Sequence, residues 1–262
     1  MRALSIAATG MEAQQLNVEV ISNNIANLST TGFKRSRAEF QDLIYQNLRS
    51  VGSASSDTGN TVPSGLQVGL GVKPAATYRI NEQGNLSITN NPLDLAINGN
   101  GFFQVTLPDG SIAYTRDGSF QLNQTGQLVT ADGYLISPNV TVPATVTAIT
   151  VNASGQVLGT IAGQTSQTTL GQLQLANFIN PTGLNAIGNN YLQETTASGS
   201  PTTGSPQATG FGSVVQGSLE TSNVDIVTEI TNLISAQRAY EMNSKVINTA
   251  DQMLSTANQM KT

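Results

Sequence analysis

The chain has 262 residues, of which only 10% are charged, a net charge of −5, and no Cys, His or Trp. The missing Cys and His remove disulfides, thiolate metal sites and the Ser-His-Asp arrangement. An acidic chain also lacks the basic stripe that neutralises nucleic-acid phosphates, so any catalysis here would have to run on carboxylates, Lys or Tyr.

The first predicted element is a helix from about Ala3 to Asn27. Leu4, Ala7, Met11, Gln14, Val18, Ile21, Ile25 and Leu28 alternate at spacings of three and four, with Gln14 the one polar member. That is the seam of a coiled-coil helix. Gly10 is a local cost that dense packing in an assembly would offset. The N-terminus carries a single positive charge, Arg2, and its apolar stretch is broken by Thr9, Gly10 and Glu12, so a cleavable signal peptide is not expected. Asn23, Asn24 and Asn27, followed by Ser29-Thr30-Thr31-Gly32, supply the side-chain hydrogen bonds and permissive φ that stop a helix.

Arg35 to Tyr45 reads as a short helical or extended piece. Residues 46–65 are small and polar, which is the composition of a linker. From Leu66 to Val72 apolar residues alternate, as in a strand. The middle, about 66–220, carries turn signals every 8 to 15 residues. Asn81–Gly84, Asn123–Gly126 and Asn152–Gly155 suit type I turns, and Asp109-Gly110, Asp117-Gly118 and Asp132-Gly133 add further ones. Such spacing favours an all-β barrel or sandwich over βαβ units. Residues 195–213, rich in Gly, Ser, Thr and Pro, are expected to form a surface loop.

The last predicted helix starts after Ser222, Asn223 or Asp225, any of which can cap it, and runs nearly to the C-terminus. Leu233, Tyr240, Ile247 and Leu254 are seven apart, with Ala239, Val246, Met253 and Met260 alongside; Ile230 extends the stripe, and Ala250 and Ala257 fall between the rows. At roughly 50 Å this helix would be unstable alone, because its stripe would face water. The expected fold is therefore α+β: long terminal helices in a coiled-coil-like pair, and an all-β, barrel- or sandwich-like middle. Residues 1–30 and 225–262 make the helical domain, 31–65 a connecting segment and 66–224 the β-rich domain. The seams can be buried within one chain or against neighbouring copies, and periodicity leaves both open.

No other chemistry stands out. The Asp-Gly turns lack the Asp-x-Asp-x-Asp pattern and distal Glu of a Ca²⁺ loop. No carboxylate pair is marked out for glycoside hydrolysis, and Gly69-x-Gly71 and Gly99-x-Gly101 lack a dinucleotide site's strand–helix context. No catalytic, metal or cofactor site is expected.

Several motifs resemble one family, the axial proteins of the bacterial flagellum, its rod and hook components. They are Asn23-Asn24-Ile25-Ala26-Asn27 with Thr31-Gly32-Phe33-Lys34, the stretch Asn91 to Phe103, Tyr114-Thr115-Arg116-Asp117-Gly118-Ser119-Phe120, and Asp132-Gly133-Tyr134. At the end come Gly217-Ser218-Leu219-Glu220, Ser222-Asn223-Val224-Asp225 and Ala236-Gln237-Arg238-Ala239-Tyr240-Glu241. Pro63-Ser64-Gly65-Leu66, after the polar stretch 46–65, is similar to an insertion of the family's distal-rod members. The resemblance implies a structural subunit of a straight, rigid helical tube, not an enzyme. Its terminal helices would line an export channel inside a β outer layer. It implies contacts with copies of itself, with proximal rod proteins below and hook protein above, and with wall and outer-membrane rings around it. It further implies export by the flagellar apparatus without a cleaved signal, placement in the basal body across the periplasm, and transmission of motor torque. From a different class, the alternative is a secreted β-rich adhesin or cell-wall binding module with accessory helices.

Overall fold

The computed structural model describes residues 2–49, 64–163 and 166–260. It is an α+β protein in which two helices, α1 (Arg2–Ala26) and α2 (Ile226–Gln259), flank a middle of short strands in open sheets. The chain divides into two compact units. One comprises Met1–Ile25, Ser36–Tyr78 and Ile226–Thr262; the other comprises Ala26–Arg35 and Arg79–Asp225.

In the first unit α1 and α2 lie side by side and antiparallel. Asn24 Nδ2 donates to Glu229 Oε2 (3.3 Å), and a Cβ added at Gly10 would stand 2.9 Å from Asn243 Nδ2. Small side chains permit this approach: Ala7 and Ala13 on α1 and Ala236 and Ala250 on α2 are buried. The segment after Arg35 is extended. Ser36–Asp42 pairs with Val72–Arg79, and Tyr45–Arg49 pairs with Leu66–Gly69. The strand expected over Leu66–Val72 is interrupted at Leu70 and Gly71; Gly71 takes φ +121°, and a Cβ there would overlap Thr9 Oγ1.

The second unit is organised around the strand Phe102–Thr106. One of its edges pairs with Ile112–Thr115. The other is shared: Leu135–Ser137 faces Gln104–Thr106, and Leu175–Asn177 faces Phe102 and Phe103. Phe102, Phe103, Gln104 and Val105 are all buried, so this strand reads as a continuous buried run because both of its faces are covered. On one face Phe103 meets Phe120 edge-on at 5.0 Å within the main core. On the other, Phe102 joins Tyr114 and Phe178. A separate three-stranded sheet, Val146–Val151, Gln156–Ile161 and Gln167–Gln172, is tied in by Gln216. The Gln216 amide accepts from Val151 N (3.0 Å) and donates to the carbonyls of Ile149 (3.0 Å) and Pro92 (2.7 Å).

Four of the expected turns close hairpins. Gly126 N donates to Asn123 O and Gly155 N to Asn152 O, while Asp109-Gly110 and Asp132-Gly133 join their flanking strands. The other two are not turns. At Gly84 a Cβ would overlap the Thr221 carbonyl, and at Gly118 the Leu95 carbonyl; both glycines mark close chain crossings. Residues 195–213 are not wholly loop either, since Thr202–Gly204 pairs with Leu175–Asn177.

This distinction is measurable. Gly118→Ala is expected to lower thermal stability by about 1–3 kcal/mol, the cost of forcing volume into a closed space. Gly110→Ala, at φ +83° with no heavy atom near the new Cβ, should cost only about 1 kcal/mol of left-handed backbone strain. Equal losses at the two sites would contradict the crossing described at Gly118.

Candidate assembly site

The residues that close the second unit come from both ends of its sequence. After α1 the chain turns at Asn27, whose carbonyl accepts from Thr30 N (3.2 Å) and whose Oδ1 accepts from Thr30 Oγ1 (3.1 Å). Gly32 then takes φ +65° and donates its N–H to Glu220 O (2.8 Å); a Cβ there would stand 2.8 Å from the Arg116 carbonyl carbon. This turn delivers Lys34 into the interior.

There Lys34, Arg116 and Glu220 form a buried ion triad, with side chains 6%, 7% and 0% exposed. Lys34 Nζ lies 2.5 Å from Glu220 Oε1 and also donates to Glu82 O (2.6 Å). Arg116 Nη1 lies 3.2 Å from Glu220 Oε2, and its Nη2 donates to Gly99 O (2.7 Å). The Gly84 N–H supplies a further bond to Oε1 (2.9 Å). Two cations face one anion, and the excess positive charge is met by the Glu82 and Gly99 carbonyls and by the Phe102 ring, 5.4 Å from the guanidinium carbon. Burial pushes the Lys34 ammonium below its usual range, outweighing the attraction of Glu220; burial lowers Arg116 in the same way. Asn223 reinforces the closure: its Oδ1 accepts from Arg35 N (2.8 Å) and its Nδ2 donates to Ile80 O (2.9 Å) and Glu82 O (3.1 Å). Ser222 is buried and accepts from Val224 N (3.3 Å). Asn223 is thus engaged within the β-rich unit, and Asp225 is the residue immediately before α2.

On α1, Ala7 and Ile21 of the expected seam are buried, and Leu4, Met11, Val18 and Ile25 are half-buried; Leu28, beyond the helix, is half-buried too. On α2, Ala250 is buried and Leu233 and Ile247 are half-buried, whereas Ile230, Tyr240, Val246, Met253, Leu254 and Ala257 are exposed. The row that meets α1 is Glu229, Ala236, Asn243 and Ala250, also seven apart. Of that row the expected stripe held Ala250 but not Glu229, Ala236 or Asn243, and on α1 it did not hold Ala13. Val227 (70%), Met242 (69%) and Met253 (63%) leave large apolar surface on α2 open to water.

Of the motif residues, Asn24 is buried and exchanges two hydrogen bonds with the Ser36 backbone (both 2.8 Å), as a strand partner would. Phe33 is half-buried, while Asn23, Gln237 and Arg238 are exposed. Ser64 and Leu66 are exposed and Gly65 is half-buried; Pro63 lies outside the described residues. The triad itself was not singled out from the sequence. Its one signal is that Lys34, Arg116 and Glu220 each sit inside a largely uncharged motif of a chain that has few charges.

A unit locked by an internal ion triad, in a chain whose long helices leave apolar residues uncovered, has the build of a structural subunit. Comparison with known proteins places it more closely. Residues 4–34 match the family described as flagella basal body rod protein. Residues 215–260 match the C-terminal region of flagellar basal body rod FlgEFG proteins, and residues 96–159 the D1 domain of flagellar hook protein FlgE/F/G. The chain is similar to the flagellar basal-body rod protein FlgG of Caulobacter vibrioides, 58% identical over 261 residues and 100% of both chains. It is 53% identical to that of Agrobacterium fabrum over 97% of each chain. To that of Borreliella burgdorferi it is 49% identical, over 100% of this chain and 99% of the relative. The chain belongs to the flagellar basal-body rod protein family, which is structural and not enzymatic.

Glu220→Gln should destabilise the folded chain by about 3–5 kcal/mol, because two buried cations lose their counter-ion. Lys34→Met should cost clearly less, since Glu220 keeps Arg116 and the Gly84 N–H. Urea unfolding followed by circular dichroism ranks the two; an equal or reversed order would refute this account of the triad.

Proposed function

We propose that this protein is a subunit of the distal part of the flagellar rod, polymerising into a straight, rigid helical tube around an export channel. The observation that carries this reading is the uncovered apolar surface of α2. Ile226, Val227, Ile230 and Ile234 line one flank of its first half, and Met242, Val246 and Met253 another flank of its second half. One partner helix cannot cover two flanks, so α1 and α2 act as a coiled-coil-like pair that needs helices of neighbouring copies. Ile230, Tyr240, Val246, Met253, Leu254 and Ala257 are then interface residues between copies, with Leu4, Met11, Val18 and Ile25 completing the seam inside each pair.

The insertion fits the same picture. The ribbon of Tyr45–Arg49 and Leu66–Gly69 exposes Ile44 (82%), Tyr45 (52%), Leu48 (49%) and Leu66 (55%). A two-stranded ribbon with apolar residues in water is marginal alone, so neighbouring subunits would order it and stiffen the tube. The partners are proximal rod proteins below, hook protein above, the rings of the wall and outer membrane around it, and the export apparatus that delivers it without a cleaved signal into the periplasmic part of the basal body. From Asp117 to Asp225 the chain contains no Lys or Arg. An outer surface so poor in cations offers few strong ion pairs to a surrounding ring, as suits a shaft that turns within it and carries torque to the hook.

Electron microscopy of the full chain beside a chain reduced to residues 26–225 tests this reading. The full chain should give straight tubes, and the truncated chain a folded β-rich monomer. Assembly by the truncated chain, or a full chain that stays monomeric with both helices protected from hydrogen exchange, would point instead to an adhesin or wall-binding module.

A further inference from the structure

Between Arg2 and Lys34 the only charged residues are Glu12 and Glu19, seven apart on α1. On α2, Arg238 and Lys245 are also seven apart. All four are exposed. Glu12 is two residues from Gly10 and Glu19 five from Asn24, which places both roughly 140–160° round α1 from its contact with α2. Arg238 and Lys245 are each two residues beyond Ala236 and Asn243, roughly 160° round α2 from its contact with α1. Glu12 and the two cations therefore lie away from the contact between the helices, while Glu19 edges a groove lined also by Gln237, Tyr240 and Glu241 of α2. Among the described residues neither row joins an ion pair, and Glu241, between the two cations in sequence, pairs with neither. Gln15 Nε2 donates to Glu19 Oε1 (3.1 Å), and that carboxylate stays exposed.

We infer that the Glu12/Glu19 row of one copy docks on the Arg238/Lys245 row of a second copy and sets the register between neighbouring helix pairs. The inference rests on the tube proposed above and names the contact between its subunits. Each row spans about 10 Å, so the spacings match. α1 and α2 are antiparallel, and neighbours whose helices point the same way keep that relation, so Glu12 meets Lys245 while Glu19 meets Arg238. The contacts of Asn24 with Glu229 and of Gly10 with Asn243 put Glu12 level with Glu241 of its own chain, and Glu19 level with Ile234. Each acid is thus four residues from the level of its cation. Both pairs demand the same displacement of the neighbour, about 6 Å along the helix axis. Because both rows are seven apart, one displacement brings both pairs together. A contact between unlike faces does not close on itself and so propagates. Exposed ion pairs add little strength, whereas facing like charges strongly oppose docking, so the rows select register while apolar surface drives association.

The test uses the full chain in three forms: Glu12→Lys with Glu19→Lys, Arg238→Glu with Lys245→Glu, and all four together. Each reversal should raise the concentration needed for tubes, measured by sedimentation and electron microscopy, by at least about tenfold. The fourfold variant should return it close to that of the parent chain. Helical circular dichroism should stay unchanged in all three, because every substituted side chain is exposed. Reversals that assemble at the parent concentration, or a fourfold variant that fails to recover while remaining helical, would overturn the pairing and leave the tube standing. A parent chain that never forms tubes would overturn both.

Discussion

The carboxylate of Glu220 is the constraint on which the β-rich unit depends. An ionised carboxylate taken out of water costs several kcal/mol unless cations and donors surround it. Here they are Lys34, Arg116 and the Gly84 N–H, brought from three distant stretches of the sequence. None of those stretches can move independently without leaving charge unpaired in the interior. Gly32 and Gly84 follow from the same demand, since the backbone comes so close to its neighbours at both that a Cβ has no room.

The strand Phe102–Thr106 is covered on both faces and paired on both edges, so its neighbours are fixed in two directions at once. The helices are built differently. Their mutual contact uses Ala, Gly and Asn, which brings the backbones close, while larger side chains of α2 such as Val227, Met242 and Met253 remain outside. Helix stability comes mainly from packing of the apolar face, and on α2 part of that face is left open.

Much of this was legible in the sequence, and the limits have physical causes. The two helices were readable almost to the residue, because a seven-residue repeat and a cluster of Asn and Gly mark their extents. The hairpins at Gly126, Gly155, Gly110 and Gly133 were readable because each needs a positive φ. Gly84 and Gly118 present the same dipeptide and spacing signals, yet serve as crossings, and only tertiary contact separates the two uses. On α2, apolar spacing marks Val246 and Met253, which are exposed, as well as Ala250, which is buried; close helix approach adds the small and polar residues Ala236 and Asn243. The triad was out of reach, since pairing Lys34 with Glu220 joins residues 186 positions apart.

That separation governs the order in which the molecule can fold. Contacts between remote positions close slowly, because the loop must be brought together before any bond rewards it. A chain that emerges from its N-terminus presents Lys34 early, but it cannot complete the ion cluster until residue 220 has emerged as well. The placement of one acidic residue thus makes closure of the β-rich unit wait on the 186 positions that separate it from Lys34.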